Sequence, residues 1–404
     1  MGKVFLSESR CGKMKYEEIR LSVFTPIFIG SNEKYEKYQY IYDNKKVYFL
    51  NETKWCEFLF KNQLLDQFVN DISKFGDRRN LKEWISQNQK LCGSYGDIKK
   101  GITYLLNHHI LENGIPSYEV NKVNKGNKAN EVNNQIEKYI RDGCGNPYIP
   151  GSTLKGAFRT AILVHCLRHG DYEKIRQAAW CRFEQALQSR NARQLKNEIT
   201  DEIRKVENSI FGVKENKCTE SMMRGLIVSD AVFEKYSLCI AKKQDISYHA
   251  ANQGKNPHGV SLFRECVDKD SEASFRVGID EEKLEKLGIY SFDDLLKQLV
   301  EFVQFQHDIF ARVIKKNYQE ELLDIDDGYV DMILGGGTGF INKTILYALA
   351  PNQRSAVSVV NALLKKAKRN QDTELAPRTL KLVYNAQNET FLMGLCRLKK
   401  GKKS

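Results

Sequence analysis

Residues 148–159 read Tyr148-Ile149-Pro150-Gly151-Ser152-Thr153-Leu154-Lys155-Gly156-Ala157-Phe158-Arg159. Pro150-Gly151 interrupts whatever precedes it, and a helix is predicted to start there, with Ser152 or Thr153 as its cap. Leu154, Phe158, Ala161, Ile162 and His165 recur at helical spacing and define one apolar face. Lys155 and Arg159, four residues apart, share a neighbouring face. Gly151 permits close approach, the N–H groups after it are expected to face outward, and two cations follow within two turns, so a phosphate could sit there. A surface helix with solvated basic residues is the plainer reading of the same stretch.

Working outward, Glu17–Thr25 alternates Ile19, Leu21 and Val23 with polar neighbours, the period of a half-buried strand that Pro26 ends. Aromatic-rich runs at 38–42 and 46–50 flank Asp43-Asn44 and read as a hairpin. Residues 53 to 110 look mainly helical. Asparagine at 121, 124, 127, 130 and 133 fits neither helix nor strand and is expected in an exposed polar loop. Beyond the first helix, a basic helical stretch runs to about Val206, and strands are predicted at 225–233 and 274–280. A long helix is predicted over 291–318, capped by Ser291 with Asp294, its stripe being Leu296, Val300, Val303, His307, Phe310 and Ile314. These elements make the chain α+β rather than a doubly wound parallel sheet.

Gly335-Gly336-Gly337-Thr338-Gly339 precedes a helix expected near Asn342. From Gly337 the chain reads G-x-x-x-x-N-K-T, a P-loop but for Asn342, whose side chain would enter the phosphate cradle. Nucleotide hydrolysis is therefore disfavoured. A glycine surface that a backbone approaches closely, with N–H groups and Lys343 beside it, is preferred over a plain turn.

The 404 residues suggest two domains. The net charge of +12, of which residues 361–404 supply +8, points to an acidic partner, foremost nucleic acid. No apolar run approaches the roughly 18–20 residues of a membrane span, and the N-terminus lacks a signal-peptide core, so a cytoplasmic protein without membrane contact is expected. The ten cysteines are scattered without a C-x-x-C pair, as reduced thiols would be. His165 and His307 fall on apolar stripes and are expected in the core. No metal, no cofactor and no catalytic residue is expected.

Five segments in order resemble the RAMP superfamily of CRISPR effector complexes. Tyr148–Arg159 is similar to its I-P-G-S-S-L-K-G-A-x-R helix start, and Thr25-Pro26-Ile27-Phe28-Ile29-Gly30 to its T-P-x-x-I-G segment. Ser209-Ile210-Phe211-Gly212, the strand Leu226–Ala231 and the loop Gly335–Gly339 resemble its x-x-F-G element, following strand and C-terminal glycine loop. Arg264-Glu265-Cys266, a helical stretch before the glycine loop and Pro377–Lys381 look most like the subunit of type III-A (Csm) complexes that caps the guide RNA 3′ end.

The resemblance implies two packed ferredoxin-like (RRM-like) domains with helical insertions, divided here at 1–215 and 216–404. It implies RNA contacts at Gly30, Ser31, Gly151, Ser152, Lys155, Arg159, Gly335, Gly336, Gly337, Thr338 and Lys343. It further implies crRNA, a backbone-forming RAMP paralogue and small helical subunits as partners, with host nucleases as candidates. The family's nuclease subunits carry an aspartate in the loop after the first strand. Ser31-Asn32-Glu33-Lys34 has none, so binding is favoured over cleavage. The alternative is a metal-independent endoribonuclease using a histidine, for which His108-His109 is the candidate.

Overall fold

The computed structural model describes residues 14–43, 46–75, 81–88, 103–104, 108–110, 136–188, 192–213, 220–255, 258–314, 330–365, 372–384 and 390–401. The polar excursion expected at 121–134 and the turn residue Asn44 lie outside the described residues.

One sheet is built around the strand Lys15–Val23, paired antiparallel with Glu272–Ile279 on one side and Leu395–Lys400 on the other. Ile19, Leu21 and Val23 point into the core, as their alternation predicts, and each is worth about 1.5–3 kcal/mol of apolar burial. Glu272–Ile279 also pairs with Ala231–Lys235 and with Leu226–Val228. Tyr148–Ile149 and Met332–Ile333 extend the two edges. The chain thus runs strand, helix Gly151–His169, strand Ala231–Lys235, strand Glu272–Ile279, helix Phe292–Ala311, strand Leu395–Lys400. Its four strands lie laterally in the order fourth, first, third, second. The two helices pack against each other and share one core with this sheet.

The second sheet has Leu238–Ser247 and His258–Val267 at its centre. Thr379–Tyr384 pairs with the former, and Ile136–Tyr139 runs parallel to the latter, with Gly30–Tyr35 beyond it. The predicted hairpin is present as Tyr40–Asp43 and Lys46–Leu50, joined to the sheet through His108–Ile110. Three helices, Glu52–Lys61, Leu65–Phe75 and Leu81–Gln87, enclose a small core in which the rings of Trp55, Phe68 and Trp84 meet edge to face. Between the sheets the chain crosses as Thr25–Ile29, where Ile27 exchanges backbone hydrogen bonds with Val267. Both sheets take strands from either side of residue 215, so the expected division at 215/216 does not separate them.

Several elements depart from expectation. Ser31–Lys34 lies not in a loop but in the strand Gly30–Tyr35, where a register shift that includes Asn32 at φ 68° absorbs two extra residues. His108 and His109 end no helix; backbone pairing with Leu238 and Cys239 draws them into the second sheet. The Phe292–Ala311 helix starts at the predicted Ser291 cap. However, it buries Leu295, Leu299, Phe302, Val303, Gln306, Ile309 and Phe310, a stripe displaced from the expected one that leaves Val300 exposed. The strand expected over 225–233 is broken at Ser229-Asp230.

That break has a local cause. The helix Gly151–His169 is capped by neither Ser152 nor Thr153: its flanking residue is Pro150, and the Gly151 N–H donates to Asp230 Oδ1 at 2.6 Å. A Cβ on Gly151 would stand 2.4 Å from the Val228 carbonyl oxygen. The glycine is needed because the strand backbone abuts the helix start, and Asp230 leaves the strand pattern to satisfy the orphan donor. Asp230→Ala should therefore lower the unfolding free energy by about 1 kcal/mol. The expected reading is a lower urea midpoint at unchanged slope; an unchanged midpoint would show that water replaces the carboxylate without loss.

Candidate nucleic-acid interface

Backbone contacts pin the start of the glycine loop. Gly335 has φ 90°, in the left-handed region, and a Cβ there would lie 2.5 Å from the Phe28 carbonyl oxygen. The next residue, Gly336, donates its N–H to that carbonyl at 2.6 Å. On the other flank Leu334 donates its N–H to the Gly394 carbonyl at 2.8 Å, and a Cβ on Gly394 would fall 2.1 Å from the Leu334 oxygen. The loop is thereby pinned between the crossover after the first strand and the turn before the last.

Beside this junction lies a groove of about 350 Å³. Gly30, Gly335 and Gly336 give it backbone edges, Thr153, Gly156, Ala157 and Thr160 form one helical wall, and Leu299, Phe302 and Val303 form the other. Ile29, Met332, Ile333, Leu334, Asn342 and Lys343 complete the lining, which among the described residues contains no histidine, aspartate or glutamate. Burial lowers the Lys343 pKa below the ordinary lysine value, and the Arg264 guanidinium lowers it further. Arg264 itself is committed: its Nε donates to Glu137 at 2.8 Å, and its guanidinium stacks over the Phe28 ring at 4.8 Å. A narrow groove with an apolar floor, backbone edges and a desolvated ammonium suits an anion carrying a flat apolar group, the make-up of a nucleotide.

Four of the sequence-predicted residues meet in this groove: Gly30, Gly335, Gly336 and Lys343. The others do not. Gly151 is buried against Val228 and Ser229, and its N–H is taken by Asp230. Ser152 is exposed outside the groove, and Lys155 is partly buried, with its pKa lowered by burial. Arg159 donates to Glu207 at 2.6 Å and stacks over Phe211, so the phenylalanine of the x-x-F-G element serves as its platform. Ser31 Oγ accepts from the Glu33 N–H and reaches the Lys138 carbonyl. Gly337 packs under Arg264 and Met393, and Thr338 is buried with its hydroxyl donating to the Gly335 carbonyl.

The P-loop likeness does not extend to conformation. Asn342 is buried and its amide donates to the Thr338 carbonyl, filling the space a phosphate cradle would leave. A 3-10 turn, Ile341–Lys343, stands where a P-loop helix would begin. Reading the sequence for charge missed Thr153, Gly156, Ala157 and Thr160. Their i, i+3, i+4, i+7 spacing was the available signal, beside the apolar face rather than within it.

The RAMP superfamily model matches residues 20–341. Csm5 of Mycobacterium tuberculosis H37Rv, a CRISPR system Cms protein, is 26% identical over 399 residues, covering 95% of this chain and 97% of its own length. Csm5 of Streptococcus thermophilus is 24% identical over 340 residues, covering 82% and 81%. Among solved structures, a chain of the cryo-EM Csm–crRNA–target RNA ternary complex of a type III-A CRISPR-Cas system superposes with a TM-score of 0.61. It is 18% identical, and the match covers 95% of this chain and all of that one. The crystal structure of T. onnurineus Csm5 gives 0.55 at 16% identity, covering 93% and 99%. With most of its length matched by the family model, and with relatives that align along nearly all of it, the chain belongs to the RAMP superfamily.

Proposed function

We propose that the protein is a non-catalytic RNA-binding subunit of a type III-A CRISPR effector ribonucleoprotein, seated at the 3′ region of the crRNA and needed for crRNA maturation and assembly. The carrying observation is the groove in which Gly30, Gly335, Gly336 and Lys343 converge from distant parts of the chain. The likeness to a chain of a Csm–crRNA–target RNA complex supports crRNA as the ligand. In this reading the first sheet, with its strand-helix-strand-strand-helix-strand order, is a ferredoxin-like (RRM-like) platform, and the second sheet belongs to its packed counterpart. A RAMP paralogue that forms the complex backbone adjoins it, with small helical subunits and host nucleases as further partners. The acid-free, histidine-free lining favours binding over a metal-independent cleavage reaction.

Two variants separate the groove from the helix flank. Lys343→Ala should weaken crRNA binding and flatten the dependence of log K on log salt by about 0.7–0.9, the share of one phosphate contact. Arg159→Ala should leave that slope unchanged, because Glu207 already neutralises the guanidinium. Fluorescence anisotropy over a salt series reads both; the reverse pattern would move the RNA onto the helix flank. Incubation of the same RNA with wild-type protein in EDTA should give binding without cleavage, and specific cleavage products would instead establish the endoribonuclease.

The lowered Lys343 pKa adds a pH dependence. A bound phosphate favours the charged ammonium and raises its pKa, so the complex holds more protons than the free protein. Affinity should be fullest below the free-state pKa of Lys343 and fall as pH rises through it toward the bound-state value. The difference between wild type and Lys343→Ala should accordingly shrink at alkaline pH; a constant difference would show that Lys343 acts without its charge.

A further inference from the structure

His165 and His169 are four residues apart on the helix Gly151–His169, so their rings stand one above the other on one face, with centroids 5.1 Å apart. The packed helix Phe292–Ala311 presents Glu301 to both. His165 Nδ1 lies 2.6 Å from Glu301 Oε2, and His169 Nε2 lies 3.7 Å from the same oxygen. All three candidate ligand atoms fall within 4.8 Å of one another. His165 and Glu301 are part-buried and His169 is half-exposed, so the cluster opens to solvent on one side. Arg168, between the histidines in sequence, is held over the Phe305 ring at 4.7 Å.

The geometry points to a divalent transition-metal site here, made by two imidazoles and one carboxylate, with zinc as the best-suited ion. Imidazole nitrogen with carboxylate oxygen is a borderline donor set, and three protein ligands leave a fourth tetrahedral position for water. At bond lengths of about 2.0–2.2 Å, tetrahedral ligand atoms stand roughly 3.4 Å apart. The His169–Glu301 separation is near that value already, and the His165–Glu301 pair must open only by side-chain adjustment, exchanging its shared proton for the ion. The ion would bolt the last turn of one helix to the middle of the other. These are the helices whose Thr153–Thr160 and Leu299–Val303 segments wall the groove, and Glu301 lies within the second, so metal would tie the two walls together. The site stands whether or not the groove holds RNA.

The test uses the full-length chain without a histidine tag and Co²⁺ as the spectroscopic probe. Wild type should bind one Co²⁺ with visible ligand-field bands of a four- or five-coordinate ion, which Zn²⁺ displaces, and Zn²⁺ should raise the melting temperature. His169→Ala removes a half-exposed side chain and should keep the fold by circular dichroism while weakening Co²⁺ binding at least about tenfold; Glu301→Gln should do the same. His249→Ala, at the separate His249–Asp372 pair, should bind as wild type does. Absence of saturable Co²⁺ binding by wild type would overturn the proposal. So would full affinity retained in His169→Ala, or sulfur-to-cobalt charge-transfer bands placing the ion on cysteines.

Discussion

Contacts between backbones leave the least freedom in this structure. The Phe28 carbonyl oxygen receives the Gly336 N–H at 2.6 Å and faces Gly335 so closely that no Cβ fits, while Gly394 presses on the Leu334 carbonyl in the same way. These contacts lock together the crossover from the first sheet to the second, the glycine loop and the turn before the last strand. A side chain at Gly335 or Gly394 would push these backbones apart, and one at Gly336 would strike the Phe28 ring. The groove beside the loop inherits its shape from this lock: its backbone edges are the same residues, and its walls are the two helices that the first sheet holds in place.

Interleaving has a second consequence. The central strand Lys15–Val23 is completed on one edge by Leu395–Lys400, so residues near the two ends of the chain finish one sheet. The second sheet likewise joins Gly30–Tyr35 and Thr379–Tyr384 through intervening strands. Loop-closure entropy is paid over most of the chain before either sheet is complete, which favours cooperative formation of the two layers over stepwise folding of two halves. Among the described residues no helix is long and apolar enough to cross a membrane.

Local periodicity made parts of this legible. The buried Ile19, Leu21 and Val23, the hairpin pairing Tyr40 with Phe49, and the Ser291 cap follow from alternation, turn position and capping chemistry. Long-range partners were not legible. Asp230 caps a helix 79 residues away, Glu207 consumes the charge on Arg159, and Phe28 fills the space that Gly336 leaves open. A basic residue in sequence therefore says little about a free cation in space: Arg159 and Arg264 are paired, whereas Lys343, set in a broken P-loop pattern, faces the groove. The His165–His169 spacing was present to be read, but assigning His165 to the apolar stripe hid the pair, and Glu301 enters only through helix packing.

The groove proposed for RNA is walled by the two helices that cover one face of the first sheet and is edged by backbone. The first sheet also carries exposed apolar groups, Tyr16, Ile227 and Val232, which are the alternative to the proposed groove. Ultraviolet crosslinking of 4-thiouridine-substituted crRNA to the assembled complex, with adducts located by peptide mass spectrometry, decides between them. The account predicts adducts on this chain in the peptides that contain Gly30, Thr153–Thr160 and Gly335–Lys343. Adducts confined to the peptides of Tyr16, Ile227 and Val232 would contradict it.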